Sequence, residues 1–309
     1  LDPARPLVIV NPRSGAGLND KQWARMRGAL TDGLGELDSA FTSGPRDASA
    51  IAAREAAAGR RLILALGGDG TISEVADGVL AAGAGATTEI ALIPRGTGGD
   101  FRRTLELPQD PGAAARHLRD ARARPVDAGR VRYRTAEGGD GIRHFVNVAS
   151  FGFSSAVASR ANASSKRLGG RVAFFGATLR ALFSYENTDI WLSLDGRPRE
   201  RRRLLMAAVG NGRFFGGGMK ICPEARLDDG ALDLVTVGDF SRTDVLTRIG
   251  RLYEGTHLTL EDVASARVTS VTAEPVEAGL QIPVELDGET PGFLPATFEV
   301  LPGALRLRA

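Results

Sequence analysis

Three short stretches of this 309-residue chain could hold a polyanion: Asn11-Pro12-Arg13-Ser14-Gly15, Gly67-Gly68-Asp69-Gly70-Thr71 and Pro94-Arg95-Gly96-Thr97-Gly98-Gly99-Asp100. Glycines let main-chain N–H groups come close to phosphate oxygens, and a helix start after them adds favourable dipoles. A carboxylate in such a loop would repel phosphate, so Asp69 points to Mg²⁺ between the two. Asp287-Gly288-Glu289 offers two carboxylates within reach of one another. Two apart on a strand they share a face, unless Gly288 bends the chain. Donors for phosphate, a metal and a carboxylate near a hydroxyl are what phosphoryl transfer to an alcohol needs. Without further context the "LDGE" stretch reads first as a hairpin turn with solvated carboxylates.

The letters Gly-Gly-Asp-Gly occur at 67–70 and again at 138–141, and the flanks separate them. The first copy follows the apolar run 62–66 and precedes Thr71-Ile72-Ser73-Glu74, whose capping-box spacing predicts a helix start. Ile72, Val75, Ala76, Val79 and Leu80 then recur at helical intervals. The second copy lies between the alternating segments 131–134 and 142–146, where Asp140-Gly141 predicts an ordinary hairpin turn. Neither G-x-x-x-x-G-K-[ST] nor G-x-G-x-x-G is present, and no Lys lies near the three loops. Zinc and serine-hydrolase signatures are also missing, and His117 and His257 read as surface or capping residues.

The elements that must carry these loops follow from hydrophobic pattern. Strands predicted at 7–10, 62–66 and 90–93 alternate with helical composition at 20–31 and 47–58, which implies a parallel sheet covered by helices. Each strand runs into one of the three loops, and ligands of open α/β sheets sit at the carboxyl ends of strands. The loops are therefore expected to converge on one ligand. From about residue 127 the chain becomes a series of short strand-like runs, as in an antiparallel sandwich, interrupted by helical inserts at 171–185 and 243–254. The domains are expected at 1–125 (α/β, parallel sheet) and 126–309 (β-rich sandwich), with the last strand able to pack back on the first.

Composition narrows the class. Hydrophobic residues make up 43% and charged residues 25% of the chain, and a net charge of +2 is too small to argue for nucleic acid. Cys222 is the single cysteine, which excludes an intrachain disulfide and fits a reducing, cytoplasmic compartment. No apolar run approaches the ~18 residues of a membrane span, and the first ten residues lack a signal-peptide pattern.

Taken in order, "VNPRSG" (10–15), "GGDGTISEV" (67–75), "IPRGTGGDF" (93–101), "FGF" (151–153), "GNGRFFGGGMKICPEARLDDGALDL" (210–234) and "VELDGET" (284–290) resemble the diacylglycerol kinase catalytic-domain family. That family includes bacterial soluble diacylglycerol kinases and the sphingosine and ceramide kinases, and shares GGDGT with NAD kinases. The resemblance implies an ATP- and Mg²⁺-dependent lipid kinase of two domains, with the nucleotide between them and a neutral lipid alcohol, foremost diacylglycerol, as acceptor. By position it implies nucleotide contacts from Asn11, Ser14, Thr42, Gly67, Gly68, Asp69, Gly70, Thr71, Gly96, Thr97 and Asp100. A structural Mg²⁺ would be held by Asp229 and the carbonyls of Arg226 and Ala231, and the catalytic base would be Asp287 or Glu289. Partners implied are a lipid substrate and a peripheral membrane surface, with a homodimer left open and phospholipid biosynthesis as the setting.

Two departures stand out. Gly99 precedes Asp100 where the family usually has Asn, which removes a side-chain amide. Ser154 and Ser155 follow the GF of the middle motif where an acid is usual, which argues against a cationic sphingoid acceptor. An NAD kinase-like phosphotransferase and a non-catalytic nucleotide- or lipid-binding relative are the alternative readings. Residues 171–185, with Val172, Phe175, Leu179 and Leu182 on one stripe after Lys166, Arg167 and Arg171, could be either a core helix or one lying on an anionic bilayer.

Overall fold

A computed structural model describes residues 1–15, 17–96, 99–156, 158 and 185–309. Thr97 and the 171–184 part of the expected helical insert lie outside the described residues. Two compact units divide the chain: Leu1–Ala128 with Pro302–Ala309, and Gly129–Leu301.

In the first unit the apolar runs become buried parallel strands, β1 (Leu7–Val10), β3 (Leu62–Gly67) and β4 (Glu89–Pro94), with only Glu89 partly exposed. They hydrogen-bond in the order β4-β3-β1, extended at the β1 edge by β2 (Asp38–Phe41). The sequence DSAF of β2 has no apolar pattern, because an edge strand needs little burial. Arg306 and Leu307, near the end of β15 (Glu289–Arg308), add a parallel pairing to β4. Helices α1 (Asp20–Leu34), α2 (Asp47–Ala57), α3 (Asp69–Ala81), α4 (Asp100–Thr104) and α5 (Pro111–Asp120) complete this unit. The capping box expected at Thr71–Glu74 does not form. Helix α3 begins three residues earlier, with Gly68 rather than Thr71 at the N-cap position, and has no side-chain cap. Glu74 is drawn away to the start of α2, where its carboxylate accepts the N–H groups of Arg46 and Ala48 at 3.1 Å each.

The second unit is a β-rich sandwich. One run of its antiparallel strands is β12 (Val263–Val268), β11 (Leu232–Val237), β10 (Met206–Gly210), β7 (Val148–Gly152), β14 (Pro283–Leu286) and then β15. Elsewhere β15 pairs with β13 (Ser270–Pro275), which pairs with β8 (Thr188–Leu194) and, through it, β9 (Glu200–Leu204). Three runs that look continuous in the sequence are each broken into two strands with different partners. The run 202–211 breaks at Leu205, 266–273 breaks at Thr269, and 143–149 breaks at Val146–Asn147. Strands that change sheets in this way make the corners of a sandwich. The N–H groups freed at two of the breaks find carboxylates: Asp195 takes Thr269 and Ser270, and Asp287 takes Val146, Asn147 and Val148.

The second Gly-Gly-Asp-Gly is a hairpin, but its turn lies earlier than Asp140-Gly141. Thr135 and Gly139 close the loop, Gly138 adopts φ 84°, and Asp140 already begins β6 (Asp140–Phe145), paired with β5 (Ala123–Arg134). The insert expected at 243–254 is α6 (Arg242–Glu254). His257 is not a surface residue: it is 2% exposed, with Nε2 2.9 Å from the Ile221 carbonyl. No described helix is long and apolar enough to cross a membrane.

Candidate active site

The loops after β1, β3 and β4 do converge. Asn11 donates from Nδ2 to Thr71 Oγ1 at 3.2 Å and accepts the Arg13 N–H at 3.0 Å, which ties the first loop to the start of α3. Ser14 Oγ donates to the Asn11 carbonyl at 2.8 Å. The Arg95 N–H donates to the Gly67 carbonyl at 2.6 Å, so the second and third loops share a main-chain bond. Thr42, at the end of β2, donates its N–H to the Val10 carbonyl beside Asn11. A small pocket is lined by Gly67, Gly68, Asp69, Arg95, Gly96 and Gly99, with Arg102 and Arg103 at its side.

Within this cluster each glycine has its own reason. A Cβ on Gly67 would fall 2.2 Å from Thr71 Oγ1, so this glycine serves the packing of Thr71. A Cβ on Gly70 would meet nothing within 4 Å, which leaves the first turn of α3 open. Gly99 has φ 66° and ψ 39°, a left-handed conformation that Gly and Asn both tolerate. The departure from Asn at this position thus preserves the backbone while giving up the amide.

Asp69 is occupied differently from the sequence expectation. Its carboxylate takes the N–H groups of Asp100 (2.9 Å) and Phe101 (3.0 Å) at the start of α4. These two main-chain donors share its negative charge and tie the second loop to the third. Asp100 is buried and its Oδ1 pairs with Arg103 at 2.9 Å.

Arg95 was missed by reasoning that looked for Lys. Its guanidinium reaches back to the β1 loop, donating to the Ser14 carbonyl at 2.6 Å and to the Gly17 carbonyl. Partial burial pulls its pKa below the usual arginine value. The signal available in the sequence was a lone Arg between a strand's end and a glycine pair.

Asp287 and Glu289 lie in the second unit at the turn between β14 and β15. Asp287 (φ 49°) and Gly288 (φ 96°) form a two-residue loop with both φ positive, the hairpin geometry that matches strand twist. The turn reading of "LDGE" is therefore right about the backbone, but both carboxylates are only partly exposed and each has protein partners. Asp287 accepts three successive N–H groups, from Val146 (3.0 Å), Asn147 (3.1 Å) and Val148 (3.0 Å). Glu289 instead pairs with the Arg143 guanidinium at 2.9 Å and is partly exposed. Gly288 does bend the chain, and the two carboxylates have separate partners.

In the "RLDDGA" stretch, Asp229 accepts the Ala231 N–H at 3.2 Å and pairs with Arg267 at 2.5 Å. Burial, and then the neighbouring Asp229 charge, push the Asp233 carboxyl up to about 6 against the opposing Arg267. Negative charge is thus in excess around an oxygen-donor turn, which suits a hard cation. No group of three or more His, Cys, Asp or Glu poised for a metal occurs among the described residues. With carbonyls of Arg226 and Ala231 as the other donors, the set fits Mg²⁺ only if water completes the shell.

A parallel α/β unit presenting glycine loops, joined to a sandwich presenting a carboxylate turn, defines a two-domain phosphotransferase. Residues 5–131 match the diacylglycerol kinase catalytic domain, and residues 147–309 match the YegS C-terminal NAD kinase beta sandwich-like domain. A diacylglycerol kinase of Mycobacterium tuberculosis is 34% identical over 263 residues, covering 84% of this chain and 81% of that one. A probable lipid kinase YegS-like protein of Pseudomonas aeruginosa is 34% identical over 263 residues, 84% of this chain and 80% of its own. The crystal structure of a putative diacylglycerol kinase from Bacillus anthracis superposes with a TM-score of 0.76 at 26% identity, covering 98% of this chain and 97% of that one. The chain belongs to the diacylglycerol kinase catalytic-domain family, and it is a lipid kinase.

Proposed function

We propose that this kinase transfers the terminal phosphate of ATP to the hydroxyl of a neutral lipid, with diacylglycerol as the acceptor to test first. The observation that carries this reading is the bonded cluster of three loops at the carboxyl ends of β1, β3 and β4. Asn11, Ser14, Thr42, Gly67 to Thr71, Gly96 and Asp100 would bind the nucleotide, with Thr97 assigned by the family resemblance alone. Main-chain N–H groups and the Arg95 side of the pocket would spread and neutralise phosphate charge.

Glu289 is the better candidate for the base. Asp287 is engaged by three amides as the anchor of its turn, whereas Glu289 has an ion pair that a substrate hydroxyl could share. Asp229, with the carbonyls of Arg226 and Ala231, would hold Mg²⁺ beside that unit. When bound, Mg²⁺ supplies a compact positive charge that offsets the surplus carboxylates of this turn. Relatives named diacylglycerol kinase support the acceptor class, and a lipid acceptor would bring the enzyme to a membrane surface.

The test is incubation of the purified protein with labelled ATP, Mg²⁺ and vesicles containing diacylglycerol, with products identified by mass. Phosphatidic acid is the expected product. Label in NAD but in no lipid would overturn the acceptor, and ATP binding without transfer to any lipid would overturn the proposed activity.

A further inference from the structure

Three arginines stand at the small pocket framed by Gly67, Gly68, Gly96 and Gly99: Arg95, Arg102 and Arg103. Two of them are committed to the protein. Arg95 ties the third loop to the carbonyls of Ser14 and Gly17, and Arg103 pairs with the Asp100 carboxylate at 2.9 Å. Arg102, half-buried on α4, is held differently. Its Nη1 donates to the Leu107 carbonyl at 2.8 Å, and its own carbonyl accepts the Leu107 N–H at 3.1 Å. These reciprocal bonds brace the turn at Glu106, whose φ of 57° is left-handed. A carbonyl orients a guanidinium without neutralising it, and among the described residues no carboxylate pairs with Arg102.

Gly99 shows where that charge lies. A Cβ built there would come within 3.1 Å of Arg102 Nε and 3.8 Å of its Cβ and Cδ. The backbone itself, at φ 66°, would accept Asn, so its conformation alone does not demand glycine. The close approach of the Arg102 side chain does. A side chain at 99 and an arginine lying across that position exclude each other, and both residues border the same pocket.

We propose that Arg102 is a nucleotide-binding residue of this chain: Leu107 holds its guanidinium across Gly99, and its uncompensated charge takes one phosphate group of ATP beside the glycines of the pocket. This rests on the reading of the protein as an ATP-dependent kinase. A guanidinium offers paired N–H donors that match two phosphate oxygens, and one already held in place loses little freedom on binding. The main-chain N–H groups of the pocket carry only partial charges, whereas Arg102 brings a full one.

The test is ATP binding by calorimetry on the full chain, without lipid, at fixed Mg²⁺ and several NaCl concentrations. Arg102→Ala should weaken binding about 10-fold at low salt, and its affinity should fall less steeply with salt than that of wild type. Arg102→Lys keeps a charge and should keep the steeper salt dependence, with an affinity between the two. Gly99→Asn should push the guanidinium aside and weaken ATP binding as well. Once Arg102 is Ala, the new side chain meets only a Cβ at 3.8 Å, an ordinary contact. The double variant should therefore bind ATP no worse than Arg102→Ala, because the two positions act as one unit. Should Arg102→Ala fail to fold, Arg102→Met keeps an unbranched apolar stem without the charge, with the same expectation. Wild-type ATP affinity in the charge-free variant, a weaker affinity with an unchanged salt dependence, or effects at 99 and 102 that simply add would each overturn the role of Arg102 alone. A wild-type protein that binds no ATP would overturn the nucleotide reading, and this role with it.

Discussion

Asp69 and Asp100 are joined by a hydrogen bond from the Asp100 main-chain N–H to Asp69 Oδ2 at 2.9 Å, with the Phe101 N–H on the other oxygen at 3.0 Å. The acid of the glycine loop is thus a cap for the short helix that follows the third loop. Asp69→Ala should lower stability by about 1 kcal/mol, the usual worth of a side-chain cap, when read by denaturant unfolding. Because the same bonds hold together two loops proposed to bind phosphate, the KM for ATP should also rise. Unchanged stability with a large loss in kcat would instead assign Asp69 to the chemistry itself.

Asp287 and Glu289 should part company under substitution. Asp287→Asn keeps one acceptor oxygen but puts an NH₂ group among three N–H donors, so it should destabilise by about 1–3 kcal/mol. Glu289→Gln replaces a partly exposed carboxylate and should leave the thermal midpoint within a degree or two. If Glu289 is the base, that variant should lose ~10²–10⁴ in kcat. Paired melting curves and rate measurements separate the two, and a fully active Glu289→Gln enzyme would send the search for the base back to Asp287.

Much of this arrangement was written in plain pattern. The buried runs of β1, β3 and β4 and their glycine loops could be read directly, because a parallel strand covered on both faces has to be continuously apolar. What escaped was decided by contacts between distant segments. Glu74 has the spacing of a local cap yet serves α2, and no local rule announces that. The breaks at Leu205, Thr269 and Val146–Asn147 fall inside strand-like runs, where the pattern is the same on either side of a sandwich corner. Asp195 and Asp287, the side chains that satisfy two of those breaks, lie 74 and 140 residues away in sequence from the amides of Thr269 and Asn147. Arg95 was overlooked because its role depends on where the β1 loop lies, not on any motif.

The "RLDDGA" turn offers a measurement independent of turnover. Asp229 stands beside an Asp233 whose carboxyl is pushed up to about 6, chiefly by burial and then by the Asp229 charge. Adding millimolar Mg²⁺ at pH 7.5 should raise the thermal midpoint of the wild-type protein, as any ligand of the folded state does. Asp229→Asn should abolish that Mg²⁺-dependent shift while relieving some charge repulsion without metal. An equal shift in both proteins would place the cation elsewhere.

His257 should give the fold an acid limit that its sequence position does not suggest. The ring is almost fully buried, and burial holds its pKa below the ordinary 6.5 despite the opposing hydrogen bond to the Ile221 carbonyl. The unfolded chain takes up a proton as the pH falls through about 6.5, while the folded protein does not until a lower pH. More protons are then bound by the unfolded state, so stability falls as the solution is acidified below that point. His257→Gln can still donate to Ile221 but carries no charge at any pH. It should be less stable than wild type by about 1 kcal/mol at pH 7.5, from imperfect packing and hydrogen bonding, yet lose less between pH 6.5 and 5. Urea unfolding of both proteins at four or five pH values in that window measures the difference, and parallel acid slopes would show that the proton is taken up by another group.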